Sequence, residues 1–283
     1  MKTLGYYNGK FDELDNMSIP MNDRASYFGD GVYDATYSRN YKIFALDEHI
    51  DRFFRSADFM GIKIEQTKEE LADILYEMLD KMDSGDQFVY FQVTRGTAMR
   101  NHAFPDEGKS NLWITLTPRN IQDTYKKIRL VTMEDKRFLY CNIKTINLLP
   151  AVLAAQKAKE AGCDETVLHR GDRVTECAHS NVHIIKDGIF RTAPTDEYIL
   201  PGIARAHLIA ACKRLGVPVD ETPFTVAEMM DADEVIVTSS GSLALAAYQI
   251  DGKPVGGKAT PLLTMLQNEV TQEFLRETLP EIY

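Results

Sequence analysis

The chain lacks a long apolar run. Its longest apolar stretches, such as residues 148–155, fall far short of the ~18 residues that a membrane span requires. It also lacks an excess of positive charge. Lys and Arg number 32 against 42 Asp and Glu, a formal net charge of −10, which excludes a general electrostatic hold on nucleic acid. A small anionic substrate stays open, because local positive groups decide that question. Cysteine is scarce. Cys141, Cys163, Cys177 and Cys212 include no pair at C-x-x-C spacing, so neither a zinc site nor a disulfide framework is expected. Buried or inert thiols in a reducing compartment fit better. The start, Met1-Lys2-Thr3-Leu4-Gly5-Tyr6-Tyr7-Asn8, has no apolar core behind its lysine and does not read as a secretory signal. The expectation is a cytoplasmic protein. Walker, Rossmann, H-E-x-x-H and G-x-S-x-G motifs are all missing, and no metal is expected. His179 and His183 are four apart, but in a turn-and-strand segment that spacing does not bring two ligands together.

What is present is an ordinary globular composition, 44% hydrophobic and 26% charged over 283 residues. That length suggests about two domains. Asn8-Gly9 and Asp187-Gly188 read as hairpin turns between short strands, because such turns want positive φ. Leu46, Ile50, Phe53, Phe54, Ala57 and Met60 fall on one face of a helix. Thr67 with Glu70 is a capping box ahead of the stripe Leu71, Ile74, Leu75, Met78 and Met82. Strands are expected over 88–94, 112–116, 127–133, 165–168, 182–185, 189–192 and 235–238. Helices are expected over 150–161 and 203–215, stopped by Gly162 and Gly216, and over 261–278. The polar run Pro118–Asp123 contains a breaker. It divides the chain into an N-terminal domain over 1–118, a linker over 119–123 and a C-terminal domain over 124–283. Strands and helices mix without a strict βαβ rhythm, so the fold class is α+β.

Several residues could do chemistry. Lys144 lies among mostly apolar or neutral neighbours, Cys141-Asn142-Ile143-Lys144-Thr145-Ile146-Asn147-Leu148. An amine that loses hydration is held more readily in its neutral form, which attacks aldehydes. Glu176 ends a short apolar stretch and could be a buried carboxylate with a cationic partner. Gly202 opens an apolar helix whose free N–H groups suit an anion. Thr238-Ser239-Ser240-Gly241-Ser242 follows a strand. Taken singly, each has an ordinary reading: a snorkelling lysine, a turn acid, a helix start, a polar turn.

Taken together and in order, they resemble the class IV pyridoxal-phosphate aminotransferases. The lysine segment at Lys144 continues into Asn147-Leu148-Leu149. Thr175-Glu176 is followed by Ser180-Asn181-Val182, and Leu200-Pro201-Gly202-Ile203-Ala204-Arg205 by the serine run. Tyr27-Phe28-Gly29-Asp30-Gly31-Val32-Tyr33 matches the N-terminal motif, and the resemblance covers essentially the whole chain. Gln92-Val93-Thr94-Arg95-Gly96-Thr97 with Arg100-Asn101-His102 is similar to the D-amino-acid branch.

The resemblance implies a two-domain fold type IV enzyme with pyridoxal 5'-phosphate at the domain interface. It implies that Lys144 bonds the cofactor and moves the proton, that Glu176 pairs with the pyridine nitrogen, and that Arg52 binds the phosphate. Ile203, Ala204, Ser239 and Ser240 complete the phosphate cup, Leu200 packs on the ring and Arg137 lies at the cofactor edge. Tyr33, Arg100 and His102 receive the substrate carboxylate, the last two from the partner subunit of a homodimer. The expected reaction is ping-pong transamination between a D-amino acid, D-alanine foremost, and a 2-oxo acid (2-oxoglutarate or pyruvate), giving D-glutamate and pyruvate. Branched-chain L-amino-acid aminotransferase and aminodeoxychorismate-lyase chemistry, or a cofactor binder without activity, are the alternatives. Asn142, Thr145 and Cys177-Ala178-His179 depart from the family pattern, the bulky His179 most of all.

Overall fold

The computed structural model describes residues 2–106 and 108–280. The chain divides into two compact units. The first holds the chain up to Ile121, residues 143–147 and the chain from Leu275 onward. Its elements are β1 (Leu4–Tyr7), β2 (Lys10–Glu13), α1 (Arg24–Phe28), β3 (Gly31–Arg39), β4 (Lys42–Ile43), α2 (Leu46–Phe59), α3 (Lys68–Asp80), β5 (Gln87–Thr94) and β6 (Asn111–Pro118). The six strands form one antiparallel sheet in the order β2-β1-β6-β5-β3-β4.

Asn8 and Gly9, both at positive φ, make the expected first turn. Strand side chains alternate between faces. Val32, Val89, Phe91, Val93, Leu112, Ile114 and Leu116 therefore share one core with Phe53 of α2 and Leu71, Leu75, Met78 and Leu79 of α3. Thr67 and Glu70 form the expected box at the start of α3. The buried side of α2 is wider than its apolar stripe, because His49, Arg52 and Ser56 are buried beside Ile50, Phe53 and Ala57.

Residues 143–147, placed with the C-terminal domain on sequence grounds, group with this first unit. Thr145 bridges Val32, the Tyr33 N–H donates to the Lys144 carbonyl at 3.0 Å, and the Ile146 N–H donates to Gly31 at 3.2 Å. The lysine segment thus lies along the start of β3 like an added strand.

The second unit holds residues 122–142 and 148–274. Its elements are β7 (Lys127–Glu134), α4 (Leu149–Glu160), β8 (Glu165–Arg170), β9 (Arg173–Cys177), β10 (Asn181–Lys186), β11 (Ile189–Thr192), α5 (Ile203–Arg214), β12 (Val219–Asp220), α6 (Val226–Asp231), β13 (Glu234–Ser239), β14 (Leu243–Ile250), β15 (Lys253–Pro254) and most of α7 (Thr260–Glu277). The sheet runs β12-β11-β10-β13-β14-β7-β8-β9, with β15 on β14. Its interior packs Ile128, Leu130, Val167, Val174, Val182, Val235, Val237, Phe224 and Met229. β7 and β8 are parallel and joined through α4, the crossover that parallel neighbours need. Among the described residues, no helix is long and apolar enough to cross a membrane.

Candidate active site

In the first unit the alternation along β3 puts Asp34 on the same face as Val32, against α2. A carboxylate buried there needs partners. Arg52 donates to it twice, Nε to Oδ2 at 2.8 Å and Nη2 to Oδ1 at 2.8 Å, and His49 Nδ1 lies 2.7 Å from Oδ1. All three are buried. Burial pushes the Asp34 carboxyl upward, but the charges of Arg52 and His49 outweigh it and hold the acid well below the usual carboxylate range. Burial also lowers His49, only partly countered by Asp34.

Lys144 is half-buried. Its Nζ lies 4.4 Å from the centre of the Tyr33 ring, and its backbone N–H donates to Ser56 Oγ of α2 at 3.3 Å. Among the described residues no carboxylate pairs with Nζ. Tyr33 stacks on Tyr90 at 5.3 Å, and Tyr90 packs against Trp113 at 5.3 Å. These aromatics occupy the sheet face opposite α2 and α3, as alternation requires.

Arg100 and His102 are exposed on the loop between β5 and β6. Both lie over Phe28, the guanidinium at 5.3 Å and the imidazole at 5.1 Å. Among the described residues neither touches Lys144 or Tyr33.

In the second unit Glu176 is the next-to-last residue of β9 and is 5% exposed. One oxygen accepts a hydrogen bond from Arg137 Nη1. The other accepts from Asn181 Nδ2 at 2.9 Å and from the Leu200 N–H at 3.0 Å. Arg137 also donates to Asp135 through Nε at 3.0 Å and Nη2 at 2.9 Å. Burial disfavours its charge, but Asp135 and Glu176 outweigh that and push Arg137 above its ordinary value. Burial likewise raises Asp135, and Arg137 brings it back below the carboxylate range. Beside them burial pushes the Cys141 thiol up to about 11, so it stays protonated near neutrality.

Asn181 also donates to the Leu200 carbonyl at 3.1 Å, and its side-chain oxygen fills the space where a Cβ on Gly202 would sit. Gly202 starts α5, and no side chain caps that helix. The first-turn N–H groups of a helix have no partner within it, and at α5 they include those of Ile203 and Ala204. Asn181 pairs with Thr238 across β10 and β13, which puts Ser239 and Ser240 beside the same end. Ser239 Oγ is 2.8 Å from Ser242 Oγ.

The structure therefore brings Lys144, Tyr33 and the α2 residues together in one unit, and Glu176, Arg137, Leu200 and the start of α5 in the other. Sequence reasoning missed Asp34, His49, Asp135 and Asn181. The acid next to Tyr33 and the histidine three residues before Arg52 were available signals, but both need the sheet–helix pairing to become meaningful. His179 pairs with the buried Glu165 at 2.9 Å, its side chain 66% exposed.

A two-unit α+β fold with a lysine strand, a buried carboxylate under an arginine and an uncapped helix start defines the class. The amino-transferase class IV family matches over residues 31–250, and the chain belongs to that family. Over 282 residues it is 39% identical to a D-alanine aminotransferase of Listeria monocytogenes serotype 4b (strain F2365), covering 98% of this chain and 97% of the relative. It is 38% identical to the D-alanine aminotransferase of Staphylococcus haemolyticus, with 94% and 95% covered. A branched-chain aminotransferase from the thermophilic archaeon Thermoproteus uzoniensis, solved with norvaline, shares the fold at a TM-score of 0.87 and 20% identity, with 98% of each chain covered.

Proposed function

We propose that this aminotransferase uses pyridoxal 5'-phosphate to move an amino group between a D-amino acid, D-alanine foremost, and a 2-oxo acid such as 2-oxoglutarate. The observation that carries the reading is the Lys144 amine, held against Tyr33 without a carboxylate partner in a chain 39% identical to a D-alanine aminotransferase. The donor set suits the cofactor. Arg52 supplies a buried positive charge and α5 an uncapped N-terminus, both matched to a phosphate. Glu176 supplies a buried carboxylate suited to a pyridinium N–H, and Leu200 an apolar side chain for the ring.

When bound, the cofactor's protonated ring accepts the electrons released at the substrate Cα. Glu176 holds the proton at the pyridine nitrogen through a charge-assisted hydrogen bond. Arg137 donates to Glu176 from behind, and Asp135 keeps Arg137 in its place at the cofactor edge. Lys144 Nζ would hold the cofactor, and the same amine would supply the base for the substrate Cα proton. The backbone of Ile203 and Ala204, with Ser239 and Ser240, completes the phosphate cup. Tyr33 contributes a hydroxyl to the substrate carboxylate. Arg100 and His102 supply the grip on that carboxylate across a homodimer, and their exposed position away from Lys144 agrees with that role.

The test is the visible absorbance of purified protein loaded with pyridoxal phosphate, recorded with D-alanine, L-alanine and L-leucine on separate samples. The expected result is conversion of the bound cofactor by D-alanine alone. Conversion by L-leucine alone overturns the D-amino-acid reading in favour of branched-chain chemistry, and pyruvate release without an amino acceptor favours a lyase.

A further inference from the structure

The loop between β5 and β6 has almost no ladder of its own. The Ala98 N–H donates to Asn22, but among the described residues no backbone–backbone hydrogen bond involves positions 99–110. Met99 is 84% and Phe104 62% exposed. The Arg95 guanidinium covers the Phe104 ring at 3.5 Å, and one further side chain ties down the loop's backbone. Arg24, 3% exposed, donates Nη1 to the carbonyls of Asn101 at 2.7 Å and Ala103 at 3.2 Å, and Nη2 to that of His102 at 3.4 Å. Three successive carbonyls around His102 thus converge on one guanidinium, a geometry that needs the planar fork of arginine.

The guanidinium is itself fixed. Its Nε donates to Asp30 at 2.7 Å. Asp30 also takes Arg95 Nε at 2.9 and 3.1 Å, while Arg95 holds the carbonyls of Met60 and Gly61 just beyond α2 at 2.8 and 2.7 Å. The carboxylate between two arginines therefore links the loop to the end of the helix that carries Arg52. The ring of Phe28 completes the arrangement, with Arg24 at 5.0 Å, Arg100 at 5.3 Å and His102 at 5.1 Å from its centre.

We propose that Arg24 is a positioning residue that sets the loop presenting Arg100 and His102, and through it the affinity for substrate carboxylates. The inference rests on the carboxylate role given above to Arg100 and His102. Replacing Arg24 leaves Asp30 paired with Arg95, so no buried acid is stranded. Methionine keeps the apolar stem over Phe28.

The test compares the holoenzyme with its R24M variant by amide hydrogen exchange and by single-turnover reaction with D-alanine. Exchange over residues 99–104 is expected to quicken by tenfold or more, with β5 unchanged. The half-saturating D-alanine concentration is expected to rise by tenfold or more, while affinity for pyridoxal phosphate stays within twofold. Adding R24M to R100A should cost less than another twofold, because the two act on the same contact. Unchanged exchange over 99–104, an unchanged half-saturation, or effects that multiply in the double variant would each overturn the proposal. A loss of cofactor affinity equal to the loss of D-alanine affinity would do the same, since it marks a merely structural residue. If R24M does not fold, R24K serves, because it keeps the ion pair and loses the fork. If the parent enzyme binds pyridoxal phosphate but does not react with D-alanine, the functional reading fails by itself. The exchange rates then decide on Arg24 alone, faster exchange upholding its hold on the loop and unchanged exchange refuting it.

Discussion

The two units each bury a charged centre, and the two are built in opposite senses. In the first unit Asp34 is fully buried and spends its oxygens on Arg52 and His49. On the function proposed above, the acid there is the support and the cation is the functional group. In the second, Arg137 lies between Asp135 and Glu176, while Glu176 also takes two neutral N–H donors. On the same proposal, the cation there is the support and the acid is the functional group. Arg170 Nε also donates to Asp135 at 3.2 Å, so both centres balance charge, as burial demands. A phosphate calls for a fixed positive group and a pyridinium for a fixed negative one, and each unit holds its functional charge rigid with a counter-charge from behind.

Breaking the first support should have the largest effect on stability. Asp34→Ala leaves a buried guanidinium without its acid, a change that costs about 3–5 kcal/mol. Urea unfolding should register it, together with weaker cofactor loading. A loss under 1 kcal/mol would mean that Arg52 finds another partner. Breaking the second centre at its functional member should act more on rate. Glu176→Gln retains shape and leaves Arg137 on Asp135 but turns an amide NH2 against at least one N–H donor, so stability should fall by about 1–3 kcal/mol while turnover falls about 10²–10³-fold. Equal losses of turnover and stability would erase the distinction between support and functional charge.

The two buried histidines sharpen the contrast. His49 has Asp34 beside it. His183 has only the hydroxyls of Thr192 and Thr238, at 2.7 and 2.8 Å, and burial together with the field of Arg205 lowers it to about 3. Its neutral form is favoured in the folded chain, so the unfolded chain binds the extra proton below the ordinary histidine value of ~6.5. Stability should therefore fall as pH drops from 6.5 towards 3. His183 alone contributes about 2 kcal/mol of that loss by pH 5, at ~1.4 kcal/mol per unit. His183→Gln should flatten this slope by one proton in urea titrations. An unaltered slope would refute the assignment.

The smallest effect concerns helix starts. α3 has its Thr67–Glu70 box, with Glu70 N–H to Thr67 Oγ1 at 3.2 Å, whereas α5 has no side-chain cap. Thr67→Ala should cost ~1 kcal/mol of stability and leave turnover unchanged. Changed turnover would mean that the box serves the site as well as the helix.

Much of this architecture was legible in the residues. Asn8-Gly9 and Asp187-Gly188 both adopt positive φ in hairpins, and Gly162 and Gly216 do so at helix ends. These are local effects, decided by backbone sterics within a few residues. The apolar stripe of α3 was legible too, with Leu79 added by the fold. β3 and β14 were not. Gly31–Arg39 mixes Asp34, Thr36 and Ser38 into its buried face, so its alternation does not read as apolar and polar. Leu243–Ile250 is rich in alanine, which favours helix, yet it forms a strand because both of its neighbours in the sheet supply ladder partners. At the site, the order of motifs marked Lys144, Glu176 and Gly202. Asp135 had no local mark, and the signals at Asp34, beside Tyr33, and at Asn181, in the run after Glu176, gain meaning only through partners up to 40 positions away.

The sequence by itself determined the turns, the helix stops and the Thr67–Glu70 capping box, and it supplied the candidates for the amine, the acid and the anion-binding helix start. Each of these depends on residue chemistry and on neighbours a few positions distant. Only the tertiary structure decided that the lysine segment lies along β3 in the first unit. Only it decided that Arg52 faces a buried aspartate rather than solvent, and that Arg24 gathers three carbonyls of the loop between β5 and β6. The reason is physical: a buried charge is stable only where the fold delivers its counter-charge, and that delivery is made by strands and helices far apart in the chain.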